Sequence, residues 1–75
     1  MKQSEIIIGH SYSNGRSNNR EEHRDVISIY HDNYQNKDYV TYKITYINSE
    51  VGLIEHLSFH ILKKSFARWA KQDVT

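Results

Sequence analysis

Residues 39–47 of this 75-residue chain read YVTYKITYI, and this segment decides the fold. Apolar and aromatic residues occupy every second position from 40 to 46, so the hydrophobic period is two residues. Successive side chains of a β-strand point to opposite faces of the sheet, and a period of two therefore predicts a strand with one buried face. The predicted buried face holds Val40, Tyr42, Ile44 and Tyr46, and the opposite face holds Tyr39, Thr41, Lys43 and Thr45.

A second strand is predicted upstream of this one. Residues 26–31 read VISIYH and are rich in β-branched and aromatic side chains, which favour strands. The polar segment HDNYQNK at 31–37 is typical of a turn. We therefore expect an antiparallel hairpin, and the apolar run at 6–8 is a candidate for a further short edge strand.

The last third of the chain admits two interpretations. A single helix over residues 50–72 would place its early and its late apolar residues on opposite sides, at roughly 100° per residue. A break near Ser58 removes this conflict, because residues 51–57 then form a third strand and Ser58 caps a helix of about four turns. The apolar side of that helix would hold Phe59, Leu62, Phe66, Trp69 and Ala70.

These elements predict an α+β fold, with a small antiparallel sheet of three or four strands packed by one C-terminal amphipathic helix. The chain is 37% hydrophobic, which is enough for folding. Because it has 75 residues, we expect it to form a single small domain over residues 1–75. Residues 11–24 are predicted to be a polar flexible loop within that domain, because SYSNGRSNN at 11–19 is a cluster of turn formers.

Composition disfavours several classes of function. The chain has no cysteine and no apolar run near the roughly 20 residues that cross a bilayer, so we expect a cytoplasmic protein without membrane contact. Its three glycines are too scattered for a phosphate-binding loop, and no nucleophile motif is present. His56 and His60 are four residues apart, but the predicted break at Ser58 separates them, so no metal or other cofactor is expected. We expect a binding protein and not an enzyme.

The first candidate site is the sheet face that the helix does not cover. Exposed tyrosines beside hydroxyl and cationic groups are typical of protein interfaces. The predicted protein-binding residues are Tyr34, Tyr39, Thr41 and Lys43. In layout alone, the predicted fold resembles small phage-encoded inhibitors of host enzymes, and also small sheet-based DNA-binding domains. Small size and a bias towards residues with AT-rich codons favour an inhibitor or regulator of a host protein or nucleoprotein complex, encoded by a phage or mobile element.

The alternative is a nucleic-acid-binding module. The net charge of +1 is unevenly distributed, because residues 59–72 contain four Lys or Arg residues and no acid. Basic side chains on the helix and in the loop would contact phosphates, although charged outer faces are often simply solvated. The residues predicted for this role are Arg16, Arg20 and Arg24 in the loop and His60, Lys64, Arg68 and Lys71 on the helix. Under either interpretation the thin core of so short a chain is compatible with a homodimer.

Overall fold

The computed structural model of the protein describes residues 1–16, 22–47 and 58–75, with the backbone alone at 46–47. The elements in chain order are a 3-10 turn at Gln3–Glu5, β1 at Ser11–Ser13, β2 at Glu22–Asp32, β3 at Lys37–Ile47, β4 at Ser58–Leu62, α1 at Lys63–Trp69 and β5 at Gln72–Asp73. Within the described residues the five strands form one sheet in the order β4-β3-β2-β1-β5, and every neighbouring pair is antiparallel. The predicted α+β class and antiparallel sheet are confirmed, whereas the predicted count of three or four strands is too low.

The predicted hairpin is confirmed as the antiparallel pair β2–β3. The Asp32 carboxylate closes the turn by accepting hydrogen bonds from the backbone N–H groups of Tyr34 and Gln35, at 2.9 and 3.2 Å. Asn36 ends the turn with a φ of 55°, in the left-handed region that Asn tolerates better than most residues. These local preferences determine where β2 ends and where β3 begins.

The alternation predicted along β3 is confirmed. Val40 and Tyr42 are buried on the helix side of the sheet, whereas Lys43 is exposed on the other side. The pairing of β2 with β3 has two irregularities, one of which passes over Ile27. Such bulges increase the local twist of a sheet. The prediction for the Tyr46 side chain lies outside the described part of the chain.

The prediction of a four-turn helix capped by Ser58 is wrong. Residues 58–62 form the edge strand β4, in which Leu62 lies opposite Tyr39 of β3. Helix α1 is only seven residues long, and Ala70 leaves it in extended backbone before β5 begins. The third strand predicted at 51–57 lies outside the described residues.

Cross-strand pairing explains why β4 is not helical. Phe59 lies opposite Tyr42 in the register, and the two rings stack with centroids 5.6 Å apart. In this extended conformation Ile61 also packs on the helix side, against the buried cluster. The hydrogen bonds and side-chain contacts with β3 therefore override a helical periodicity that is equally visible in the sequence.

The predicted loop over residues 11–24 is shorter in the structure at both ends. Residues 11–13 pair as β1 between β2 and β5, and β2 already begins at Glu22. The turn predicted around Gly15 is present, since this glycine has a φ of 72°. Residues 17–21 lie outside the described part of the chain. The edge strand considered at 6–8 is not formed, because Ile6 enters the core while Ile7 and Ile8 are exposed.

Phe66 attaches the helix to the sheet. Its side chain is fully buried, and its ring meets Tyr12 edge-on at 5.7 Å and Tyr42 at 5.5 Å between centroids. Trp69 packs against Phe66 from the same helix, also at 5.5 Å. Aromatic pairs in this range add about 0.5–1.5 kcal/mol each to the energy of area burial. The buried cluster consists of Ile6, Tyr12, Val26, Val40, Tyr42, Phe66, Ala67 and Ala70.

Tyr12 joins the N-terminal segment to this core. Its hydroxyl donates a hydrogen bond to the carbonyl oxygen of Glu5 at 2.7 Å and accepts one from the backbone N–H of Ile7 at 2.8 Å. Burial raises the pKa of the Tyr12 hydroxyl above its ordinary value of 10.0, so the proton that it donates to Glu5 is retained. The first ten residues are thereby held against the sheet without forming a strand of their own.

The C-terminal strand is held by the carboxylate of Asp73. This group accepts hydrogen bonds from the hydroxyl and the backbone N–H of Thr75, at 2.6 and 3.0 Å, and pairs with Nδ1 of His10 at 2.7 Å. The bond from the Thr75 hydroxyl, then that from His10, are the main reasons why the pKa of Asp73 falls from 3.8 to about 2.

Replacing Phe66 with Ala is expected to lower the free energy of unfolding by about 3–5 kcal/mol, because ring contacts are lost and a cavity remains. Domains of this size hold only roughly 3–5 kcal/mol from burial, so the variant should appear unfolded by circular dichroism. Phe66→Leu, which keeps more of the volume, should stay folded with a lower urea midpoint. Lys64→Ala, on the exposed side of the same helix, should leave the midpoint unchanged. Cooperative melting of Phe66→Ala at the wild-type temperature would contradict this packing.

The depressed pKa of Asp73 predicts a pH dependence. Its contribution to stability should be fully present above the unfolded-state pKa of 3.8 and should be lost as the pH falls through about 2. Asp73→Asn should therefore be less stable than the wild type at about pH 6 and equally stable below the folded-state pKa. Nuclear magnetic resonance titration of the Asp73 carboxyl measures the midpoint directly, and a midpoint at the ordinary value of 3.8 would refute the proposed hydrogen bonding.

Candidate binding surfaces

The sheet face opposite α1 carries aromatic rings from three neighbouring strands. Tyr30 of β2 and Tyr39 of β3 are register partners, and their rings stack at 5.4 Å with 14° between the planes. The ring of His60 in β4 meets both of them edge-on, at 6.0 Å from Tyr30 and 5.7 Å from Tyr39. No described element covers these rings, and Tyr30 is 41% exposed. We call Tyr30, Tyr39 and His60 the aromatic cluster.

His60 is not where the sequence predicts it. The expected helix would have placed His60 in a basic stripe with Lys64, and that placement is wrong because residue 60 belongs to β4. Alternation along β4 turns its ring to the face away from α1, where it contacts two tyrosines. The residue therefore moves from the predicted nucleic-acid site to the predicted protein-binding face. Correct assignment of residues 58–62 as a strand opposite β3 would have revealed this.

The structure brings three of the four predicted protein-binding residues together. Tyr39, Thr41 and Lys43 follow one another along the same face of β3, as alternation requires. Tyr34 stands apart at the tip of the β2–β3 hairpin, where it is 97% exposed. The Tyr39 hydroxyl donates to Oε1 of Gln35 in that turn at 2.7 Å, and this bond connects the tip to the face.

The same face is close to electrically balanced. Lys43 lies opposite Asp25 in the register, and Lys37 lies opposite Asp32 near the hairpin tip. Asp25 also accepts a hydrogen bond from the Thr45 hydroxyl at 3.1 Å. Each described cation on this part of the hairpin thus has an anion across the strand, so the face offers no net positive field for a phosphate backbone.

Arg24 lies in strand β2 and not in a loop, and its side chain is on the face of the sheet that α1 covers. Its guanidinium carbon is 3.9 Å from the ring centroid of Trp69 and 4.5 Å from that of Tyr42, so it is held between the two rings. It also forms an ion pair with Glu22 on the same strand. Cation–π contacts of this kind are worth about 0.5–2 kcal/mol. The predicted placement of Arg24 in a loop is therefore wrong, because the residue lies in β2 and connects α1 to the sheet.

Three other predicted cations line one cavity. Arg16 follows the turn after β1, Arg68 belongs to α1 and Lys71 lies between α1 and β5. With Asn14 and Trp69 they line a cavity of about 380 Å³ that is open to solvent. The three cations are recognisable as candidates in the sequence, whereas the asparagine and the tryptophan are not, since only the docking of the turn onto the end of α1 brings them together. We call this space the cationic cavity.

The remaining predicted cations lie elsewhere. Lys64 borders a separate depression of about 220 Å³ beside the hairpin tip, together with Lys37 and Asp38. Arg20 lies outside the described residues. The basic stripe expected along one helix is therefore divided among different surfaces of the molecule.

No group of three or more His, Cys, Asp or Glu side chains within 1–16, 22–47 and 58–75 has a geometry that could hold a metal ion. His56, one of the two histidines considered as a metal pair, lies outside these ranges. No helix in the described part of the chain has the length and apolar character that crossing a bilayer requires.

Comparison of the chain with models of protein families, with curated proteins and with solved structures finds no match. Its function therefore has to be inferred from its own residues.

Arg24→Met is expected to lower the free energy of unfolding by about 1–2 kcal/mol, because the cation between Tyr42 and Trp69 is lost while the aliphatic volume is kept. The free energy of unfolding of Arg24→Lys should lie between those of Arg24→Met and the wild type, since an ammonium group lacks the flat guanidinium surface that stacks on rings. Urea denaturation followed by circular dichroism measures both. If Arg24→Met unfolds at the wild-type midpoint, the guanidinium does not stabilise the helix–sheet contact.

Proposed function

We propose that the chain is a small non-enzymatic protein-binding module that contacts its partner with the sheet face opposite α1. The observation that supports this most directly is the aromatic cluster, in which side chains from three strands contact one another and form one partly exposed surface. Exposed aromatic residues on a rigid support are the usual anchors of protein interfaces, because they bury a large area at a small cost in conformational entropy.

The geometry of the cluster favours a protein over a single-stranded nucleic acid. Proteins that bind single strands on a sheet stack bases on open ring faces. Tyr30 and Tyr39 stack on each other, so the pair presents its ring edges, its hydroxyl groups and one outer face of each ring. The opposed charges of Lys43 and Asp25 also provide no excess of cations for the phosphates. Ring edges and hydroxyl groups suit instead a protein surface with apolar side chains and hydrogen-bonding groups.

The size of the molecule is sufficient for such an interface. Its two longest dimensions are 41 and 24 Å, and the long hairpin β2–β3 provides most of the sheet. A typical stable interface needs roughly 800 Å² from each partner, which a face of these dimensions can supply. Tyr34, at the hairpin tip, would extend the contact beyond the cluster.

The biological role that suits such a module is regulation of another protein. A binding module without catalytic motifs, with the small size and AT-rich residue bias of this chain, suits an inhibitor or regulator of a host protein, carried by a phage or mobile element. Such a protein acts by occupying a surface of its target, so affinity for that target is the property to measure.

The test is affinity capture from a lysate of the source cells, treated with nuclease, using the tagged wild type and two double variants. Tyr30→Ser with Tyr39→Ser alters the aromatic cluster, whereas Arg16→Gln with Arg68→Gln alters exposed cations on the helix side. We expect the wild type and the arginine variant to capture the same protein in stoichiometric amounts. The affinity of the tyrosine variant for that protein should be at least tenfold lower. Circular dichroism establishes that both variants are folded.

Three results would contradict the proposal. One is a partner that depends on the two arginines and not on the tyrosines. Another is recovery of nucleic acid with no protein left after nuclease treatment. The third is a wild-type protein that sediments alone as a dimer and becomes monomeric in the tyrosine variant, since the face would then bind a second copy of the chain.

A further inference from the structure

The cationic cavity is lined by three positively charged side chains, a composition that favours an anionic ligand. Its lining consists of the side chains of Arg16, Arg68 and Lys71 together with Asn14 and Trp69. Among the described residues, neither arginine forms an ion pair with a carboxylate, and Lys71 directs its ammonium group to the carbonyl oxygen of Arg68 at 3.2 Å. Three cations in one concave space repel one another, and a multiply charged anion would relieve that repulsion.

Backbone geometry builds this cavity independently of its charges. The backbone N–H of Lys71 donates to the carbonyl oxygen of Ser13 at 2.8 Å, and the buried Ser13 hydroxyl accepts from the N–H of Gly15 at 3.1 Å. A Cβ at Gly15 would lie 3.0 Å from Cβ of Lys71, a tight contact, and the φ of 72° adds backbone strain for any other residue, so glycine is strongly favoured at this close approach. Oδ1 of Asn14 accepts from the N–H of Arg16 at 3.1 Å and thereby orients its own side chain.

The cavity also has an aromatic wall. Arg24 covers one face of the Trp69 indole at 3.9 Å and holds the ring in place between the sheet and the cavity. Aromatic side chains beside a cationic groove are the means by which proteins hold the base of a nucleotide while guanidinium groups bind its phosphate. The volume of about 380 Å³ lies within the roughly 300–1,000 Å³ of ordinary small-molecule sites and exceeds what a lone phosphate needs.

We propose that the cationic cavity binds a nucleoside phosphate, with the phosphate on Arg16, Arg68 and Lys71 and the base against Trp69. The ligand is either a free nucleotide or a nucleotide unit of a single-stranded nucleic acid, because both present the same phosphate and base. This site lies on the helix side of the molecule and does not depend on the proposed protein-binding face. The module would then carry two separate sites, one on each side of its sheet.

Trp69 is the only tryptophan of the chain, and its fluorescence reports directly on the cavity. The experiment titrates the protein with adenosine monophosphate, inorganic phosphate and adenosine, using Trp69 emission and calorimetry. We expect saturable binding of adenosine monophosphate with a change in emission, weaker binding of inorganic phosphate, and no binding of adenosine. A protein that binds none of the three, or adenosine as well as its phosphate, would overturn the proposal.

Matched variants locate the site. Arg16→Gln and Arg68→Gln should each weaken adenosine monophosphate binding about tenfold or more, since each removes a charge-assisted hydrogen-bond donor. Lys64→Gln removes the same charge from the same helix but lies beside the other depression, so it should bind as the wild type does. Equal weakening by Lys64→Gln would mean that a diffuse positive field, and not this cavity, holds the anion.

A single-stranded oligodeoxythymidylate distinguishes the two sources of the ligand. If it binds at least a hundredfold more tightly than thymidine monophosphate, with affinity that falls steeply with salt, the cavity receives a unit of a nucleic acid chain. If the two bind equally, it receives a free nucleotide. Both results support the site, provided that Arg68→Gln weakens each ligand; an oligonucleotide whose affinity is unchanged in Arg68→Gln would overturn it.

Discussion

The contact of Phe66 with Tyr12 and Tyr42 is the interaction on which the rest of the structure depends. A helix of seven residues is too short to be stable by itself, so it persists only because its apolar side is buried. Phe66 is the largest buried side chain of the helix, and Arg24 adds a second connection between sheet and helix. The end of the helix then positions Trp69 and the residues around the cationic cavity.

The hairpin and its two faces could be predicted from the sequence because the information is local. The period of two along residues 39–47 assigns Val40 and Tyr42 to one face and Thr41 and Lys43 to the other, whatever the rest of the chain does. The turn is also local, since Asp32 and Asn36 adopt conformations that their own side chains favour. Three of the four predicted protein-binding residues lie together for this reason.

The segment from 58 to 73 could not be predicted, because its conformation depends on distant partners. Phe59 and Ile61 favour a strand, but the spacing of the apolar residues also fits a helix, so pairing with β3 decides the conformation. A helix over these residues places His60 beside Lys64, whereas the strand places it beside Tyr30 and Tyr39. Similarly, β1 and β5 contain three and two residues, too few to leave a period in the sequence, and they are stabilised by each other and by β2. The cationic cavity follows from that pairing and could not be foreseen without it.

Strand alternation has a consequence for how this chain can change. Along β2, Arg24 faces the helix while its neighbour Asp25 faces the open side, and Tyr42 and Lys43 alternate in the same way on β3. Residues that are adjacent in the sequence therefore belong to different surfaces of the molecule. Selection for a new partner can replace residues on the open side without repacking the core, and the helix side can diverge on its own. A single layer of strands thus allows two surfaces to vary independently in a chain of 75 residues.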